Sequence, residues 1–191
     1  MNDNTCISYR INSREEITFI NDEWFRFAAD NNALELVRDN ILNCSLWDFI
    51  SDEKVKHIYQ EILRRVNSGH FMKFKLRCDS PEMRRIIEIS ITPLKDGEVQ
   101  FDSKIIWTEA RMNPILFKQN VPRTDNLVII CSWCNKIETR NGNWQEVEEA
   151  VETLRLFELE TLPLTSHGMC GACFEKVTSE LDKLKTLENH S

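Results

Sequence analysis

Apolar and polar residues alternate between Cys6 and Asn21 in two short runs, Ile7/Tyr9/Ile11 and Ile17/Phe19, separated by the polar stretch 12–16. A period of two is the strand signature, so this segment predicts a β-hairpin. Trp24, Phe25, Phe27, Ala28 and Ala29 follow at helical spacing, with Asn21 and Asp22 placed to cap a helix. Ser51-Asp52-Glu53 is an N-terminal signature for a longer helix over 52–67. Along it Val55, Ile58, Tyr59, Ile62, Leu63 and Val66 fall on one face, and Ser68-Gly69 ends it. Strand-like runs come next at 71–77, 84–94 and 99–108, with Asp96-Gly97 as the turn between the last two. A hairpin, small helices, one long helix and three strands in that order predict an α+β domain with a five-stranded antiparallel sheet.

The pattern then changes. Pro114 and Pro122 mark a linker over 112–126, between a domain over 1–111 and a second module over 127–191. Leu127-Val128-Ile129-Ile130 is an apolar strand running straight into Cys131. Asn141-Gly142, between Lys136-Ile137-Glu138 and Trp144, predicts a small hairpin. Residues 144–157 are expected to form an acidic amphipathic helix, with Val147, Val151, Leu154 and either Leu156 or Phe157 inward. A last helix over 174–187 presents Val177, Leu181 and Leu184 on one side.

The chain has 191 residues and 41% hydrophobic content, enough to build a core. Its net charge of −7 is unevenly spread. Residues 1–124 carry 18 Lys/Arg against 19 Asp/Glu, and residues 125–191 carry 6 against 12. An acidic module repels phosphate backbones, so nucleic acid is not expected as a partner. No stretch approaches the roughly 20 apolar residues of a membrane span, and no signal peptide is seen, so a soluble cytoplasmic protein is expected.

The chemistry sits in two Cys-x-x-Cys pairs, Cys131-Ser132-Trp133-Cys134 and Cys170-Gly171-Ala172-Cys173, with 35 residues between them. Two intervening residues let both sulfurs point to one side of a tight loop, and two such loops supply the four ligands of tetrahedral Zn²⁺. The second pair opens a predicted helix, whose free N–H groups stabilise negative sulfur. A hairpin knuckle facing a helix N-terminus is a treble-clef-like layout. His167 lies three residues before Cys170 and is an alternative ligand or an outer hydrogen-bond donor. The other three of the seven cysteines are unpaired, which argues against a secreted disulfide scaffold. Zinc here would serve as a staple for a small module, and its oxidative release as a switch is the rival reading.

The element order over 6–111, with Ile20-Asn21-x-x-Trp24, Ser45-Leu46-Trp47-Asp48-Phe49-Ile50 and Arg77-Cys78-Asp79-Ser80, resembles a PAS sensory domain. The tail reads Ile130-Cys131-Ser132-Trp133-Cys134, then Trp144 and Glu148, then Ser166-His167-Gly168-Met169-Cys170-x-x-Cys173. It is similar to the cysteine module that ends a bacterial group of PAS proteins. The resemblance implies a five-stranded sheet with helices on one face, signal sensing and protein–protein signalling. Members are often fused to kinases or other output modules, and none is expected here.

PAS domains can hold haem, flavin or small metabolites. Asn43-Cys44-Ser45-Leu46 superficially matches a flavin-reactive cysteine motif, but Ser45 and Asp48 replace its expected Arg and Gln. His57 lies near where a haem ligand would sit, yet it falls toward the polar face of its helix, and His70 stands at a strand entrance. Cys44, Trp24, Trp47, Phe27 and Phe49 are expected as core residues, and no organic cofactor is expected. Lys73, Lys75 and Arg77 share one strand face, and the acidic Glu146, Glu148, Glu149 and Glu152 could receive them within one chain or between two. Nothing supplies a nucleophile–base pair, a phosphate-cradling glycine loop or an open metal site. The expectation is a non-enzymatic signalling adaptor, homodimeric, with protein partners, a four-cysteine Zn²⁺ site, and no membrane or nucleic-acid role.

Overall fold

The computed structural model describes residues 5–31, 33, 36, 38–112, 114–117 and 121–188. The chain forms two compact units, one drawn from Met1–Leu76 and Ile86–Trp107, the other from Arg77–Arg85 and Thr108–Ser191.

The first unit is built on the expected five-stranded antiparallel sheet, in the order β2-β1-β5-β4-β3. Its strands are β1 (Cys6–Ile11), β2 (Ile17–Ile20), β3 (Met72–Arg77), β4 (Met83–Pro93) and β5 (Val99–Ala110). The β1–β2 turn is closed by Asn12, whose Oδ1 accepts from the N–H groups of Arg14 and Glu16 at 2.8 and 3.1 Å. β1 then pairs antiparallel with β5 from Cys6↔Lys104 to Ile11↔Val99, so first and last strands lie side by side. The helices α1 (Asp22–Asp30), α2 (Arg38–Ile41) and α3 (Glu53–Asn67) all fall between β2 and β3 in the chain.

Asn21 ties α1 to the sheet. Its Oδ1 accepts from the N–H of Trp24, capping the helix, and from the N–H of Ser8, while its Nδ2 donates to Cys6 O at 2.7 Å. Asp52 caps α3 through Val55 N at 3.0 Å, and Gly69, at φ 94°, ends it in a conformation that favours glycine. The predicted face of α3 is the buried one: Val55, Ile58, Ile62, Leu63 and Val66 are all inside. They share the core with Ile11, Ile20, Ile91 and Phe101, and the Phe101 ring stacks on Tyr9 at 4.5 Å.

Two aromatic side chains stand outside, Phe49 against expectation. Phe19 is 38% exposed and lies under the Arg10 guanidinium, 4.8 Å from its carbon, because a register shift between Arg10 and Ile11 hands the inward position to Ile20. Phe49 is 46% exposed at the end of a short 3₁₀ turn. Trp24, Phe27, Trp47 and Cys44 are partly buried.

The second unit holds a four-stranded sheet in the order β8-β7-β6-β9, with β6 (Arg123–Cys131), β7 (Ile137–Glu138), β8 (Trp144–Gln145) and β9 (Leu162–Gly168). β6 starts at Arg123, inside the stretch expected as linker, because β9 pairs with it in parallel from Arg123↔Leu162 to Cys131↔Gly168. β9 itself was not anticipated. The expected helix over 144–157 is also shorter. Trp144-Gln145 pairs with Ile137-Glu138, α4 covers only Val147–Thr153, and Arg155 at φ 54° turns the chain into a 3₁₀ segment, Leu156–Glu158. That turn buries Leu156 and leaves Phe157 58% exposed. Leu156 joins Leu116, Val128, Ile130, Ile137, Val147, Ala150 and Leu162 in this unit's core. The last helix, α5 (Gly171–Glu188), buries Val177 and Leu181; the Leu184 side chain lies outside the described residues.

Candidate metal centre

β6 delivers Cys131 at its end, and the chain reverses at once. Cys131 N–H donates to Lys136 O at 2.8 Å and Asn135 N–H to Cys131 O at 2.9 Å. Asn135 takes φ 61°, a left-handed conformation that Asn tolerates better than most residues. This tight loop sets Cys131 and Cys134 as a knuckle. The parallel pairing of β9 places Gly168 opposite Cys131, and Ser132 N–H donates to Gly168 O at 2.8 Å. Two residues later Cys170 stands at the start of α5 and caps it, its Sγ accepting from Cys173 N–H at 3.4 Å.

All four sulfurs lie within 4.8 Å of one another, Cys134 Sγ and Cys170 Sγ being 3.9 Å apart. Four thiolates at about 2.3 Å from a tetrahedral Zn²⁺ stand about 3.8 Å from each other. The donor set therefore fits such an ion. Cys131 and Cys170 are buried, and Cys134 and Cys173 partly so.

Electrostatics in this cluster favour one thiolate over four. The hydrogen bond from Cys134 lowers the Cys131 thiol to about 4 against an opposing desolvation, helped by the Cys170 N–H, which donates to Cys131 Sγ at 3.4 Å. The same bond raises Cys134, and burial lifts Cys173 to about 12. A bound cation is what removes this conflict, since a coordinating thiol is deprotonated outright. His167 lies outside the sulfur group, exposed on β9 opposite Ile130.

A charged cluster centred on Asp79, which the sequence showed only within a motif, braces the knuckle. Arg77 N–H donates to Trp133 O at 2.9 Å. Asp79, with a fully buried side chain, pairs with the guanidinium of Arg77, with Arg111 Nη1 at 3.2 Å and with Arg85 N–H at 3.1 Å, and also bonds the Asn135 side chain. Burial pushes the Asp79 carboxyl up, but the Arg77 and Arg85 hydrogen bonds and the Arg77 charge outweigh it and hold it below its ordinary value. Arg77 Nη1 also reaches Glu146 Oε2 at 2.6 Å, and Arg84 Nη2 reaches Glu148 Oε1 at 2.8 Å. Of the basic strand face, then, Arg77 meets the acidic segment, whereas Lys73 and Lys75 pair with Glu88 on β4 at 2.9 and 4.0 Å.

Cys44 Sγ donates to Asn40 O at 3.3 Å, His57 is exposed on α3, and His70 Nδ1 lies 3.2 Å from Arg65 O. Tyr9 and Tyr59 are partly buried, and desolvation raises both phenols, Tyr59 to about 12.

No family model and no curated protein matches the chain. Among solved structures it is similar to a domain of an HTR-like protein from Haloarcula marismortui, at 13% identity over 55% of this chain and 100% of that one, with a TM-score of 0.39. It is also similar to a domain of a sensory box sensor histidine kinase/response regulator from Geobacter sulfurreducens, at 13% identity over 52% of this chain and 82% of that one, TM-score 0.39. Among the described residues no helix is long and apolar enough to cross a membrane.

Proposed function

We propose that this chain is a non-enzymatic sensor adaptor of the cytoplasm, in which a PAS-like unit is joined to a module held together by structural zinc. The PAS-like strand order and the motifs around Asn21, Trp47 and Asp79 support a role in sensing and protein–protein signalling. The observation that carries the metal reading is the convergence of four sulfurs within 4.8 Å from two ends of one module. Four protein ligands leave no open position for substrate, which is the mark of structural rather than catalytic zinc. The cysteines come from a tight loop and a helix start that a shared ion would link, so metal would supply folding energy directly. Metal analysis and a visible spectrum of the purified protein test both halves together. About one zinc per chain and no haem or flavin band is the expected result; a metal-free folded protein contradicts it.

One feature favours a second role for the same site. Cys134 and Cys173 are only partly buried, and Cys134 Sγ lies 3.9 Å from Cys170 Sγ, so an oxidant can reach thiolates already near a disulfide partner. Two-electron oxidation by peroxide would join two sulfurs, reduce the peroxide to water and release the ion. Zinc appearing in solution in proportion to modest peroxide doses supports that switch, and retention of the metal rejects it.

A further inference from the structure

β9 is the outer strand of its sheet and, among the described residues, pairs with β6 alone. Leu162 N–H donates to Pro122 O at 2.9 Å and Gly168 O accepts from Ser132 N–H at 2.8 Å, so both residues turn their backbone groups inward. Backbone direction alternates along a strand, which sends Leu164 and Ser166 inward too and Pro163, Thr165 and His167 outward. Pro163 has no N–H, and its carbonyl accepts from Arg123 Nη1 at 2.9 Å. Thr165 and His167 remain, both exposed, as a short edge of backbone donors and acceptors.

Such edges are normally blunted by charge or by brevity. The edge strand β3 carries Lys73, Lys75 and Arg77, and β8 is two residues long. β9 reads Leu-Pro-Leu-Thr-Ser-His-Gly, without one Lys, Arg, Asp or Glu. Beside it Leu164, 44% exposed, sits in register with Leu127 of β6, 62% exposed, making an apolar step along the edge.

We propose that β9 is an interface at which two copies of this chain pair antiparallel, about a two-fold axis through Ser166. This register faces Thr165 with His167 of the second copy, and the reverse, closing four backbone hydrogen bonds. Leu164 then comes opposite Gly168 of the second copy, which puts no side chain in its way, and Ser166 meets Ser166, small against small. No charged residue of β9 opposes another. A second copy fits this strand because its sequence is complementary to its own reverse, and the pairing is independent of which metal the cysteines hold.

Light scattering on the full chain tests this. The wild type is expected at twice the 22.5 kDa chain mass. Ser166→Lys and Ser166→Glu each set like charges across the axis and are expected at the single-chain mass, while their equimolar mixture regains the dimer. Metal content equal to that of the wild type shows that the variants fold. A wild type that stays monomeric at millimolar concentration, or a Ser166→Lys variant that stays dimeric, overturns the proposal. Hydrogen exchange on the wild type needs no variant. The Thr165 and His167 amides should lose protection on dilution, and equal exchange at high and low concentration contradicts the interface.

Discussion

Asp79 is the residue on which most bonds around the knuckle converge: two guanidinium groups, the Arg85 amide and the Asn135 side chain meet its carboxylate. Asp79→Asn keeps the shape and removes the charge, leaving Arg77 and Arg111 facing a neutral amide. Breaking a buried ion pair from one side costs about 3 kcal/mol, and a drop of that order in unfolding free energy of the second unit is expected by denaturant titration. The carboxyl is held below its ordinary value, so its contribution is complete above the ordinary carboxylate pKa of about 3.9 and fades as pH falls through the folded value. The stability gap between wild type and Asp79→Asn should therefore stay constant from about pH 8 to 5 and narrow below about pH 4. A gap that closes near neutrality contradicts this assignment. In the sequence Asp79 was visible only as part of a motif, since its partners Arg111 and Asn135 lie far along the chain and no local period points to them.

At the scale of elements, α3 was legible almost to the residue, because a capping Asp52, a strong 3.6 period and Ser68-Gly69 all agree. The segment 144–157 was not. Val147, Val151 and Leu154 keep helical spacing, yet Arg155 adopts φ 54° without the glycine that would announce it, and Trp144-Gln145 is drawn into pairing with β7. The break decides which of two neighbours is core. Leu156→Ala should destabilise the second unit by about 2–4 kcal/mol, whereas Phe157→Ala should change stability by less than about 0.5 kcal/mol. Equal effects in thermal or chemical unfolding would restore the continuous helix. β9 was hidden for a different reason. As an edge strand beginning with Leu162-Pro163 it alternates weakly, and its parallel partner β6 lies about thirty residues earlier, where only a tertiary contact could reveal the pairing.

For the molecule as a whole, the two cysteine pairs were the clearest functional signal in the sequence, since their spacing alone names a four-sulfur donor set. What spacing could not give is the route: β9 running parallel to β6 carries Gly168 to Cys131, and Cys170 enters as the cap of α5. The sulfurs tie the end of β6 and the knuckle after it to the start of α5, all within the second unit, so removal of the ion should unfold that unit preferentially. A strong thiol-compatible chelator is expected to abolish amide protection over 123–183 while β1, β4 and β5 keep theirs between residues 6 and 106. Uniform loss across the chain, or none, would show that zinc is not the staple. The central claim is tested most directly by X-ray absorption at the zinc edge on the purified protein. The account predicts four sulfur scatterers at about 2.3 Å with no nitrogen or oxygen in the shell. A shell of mixed ligands, or of fewer than four sulfurs, would contradict it.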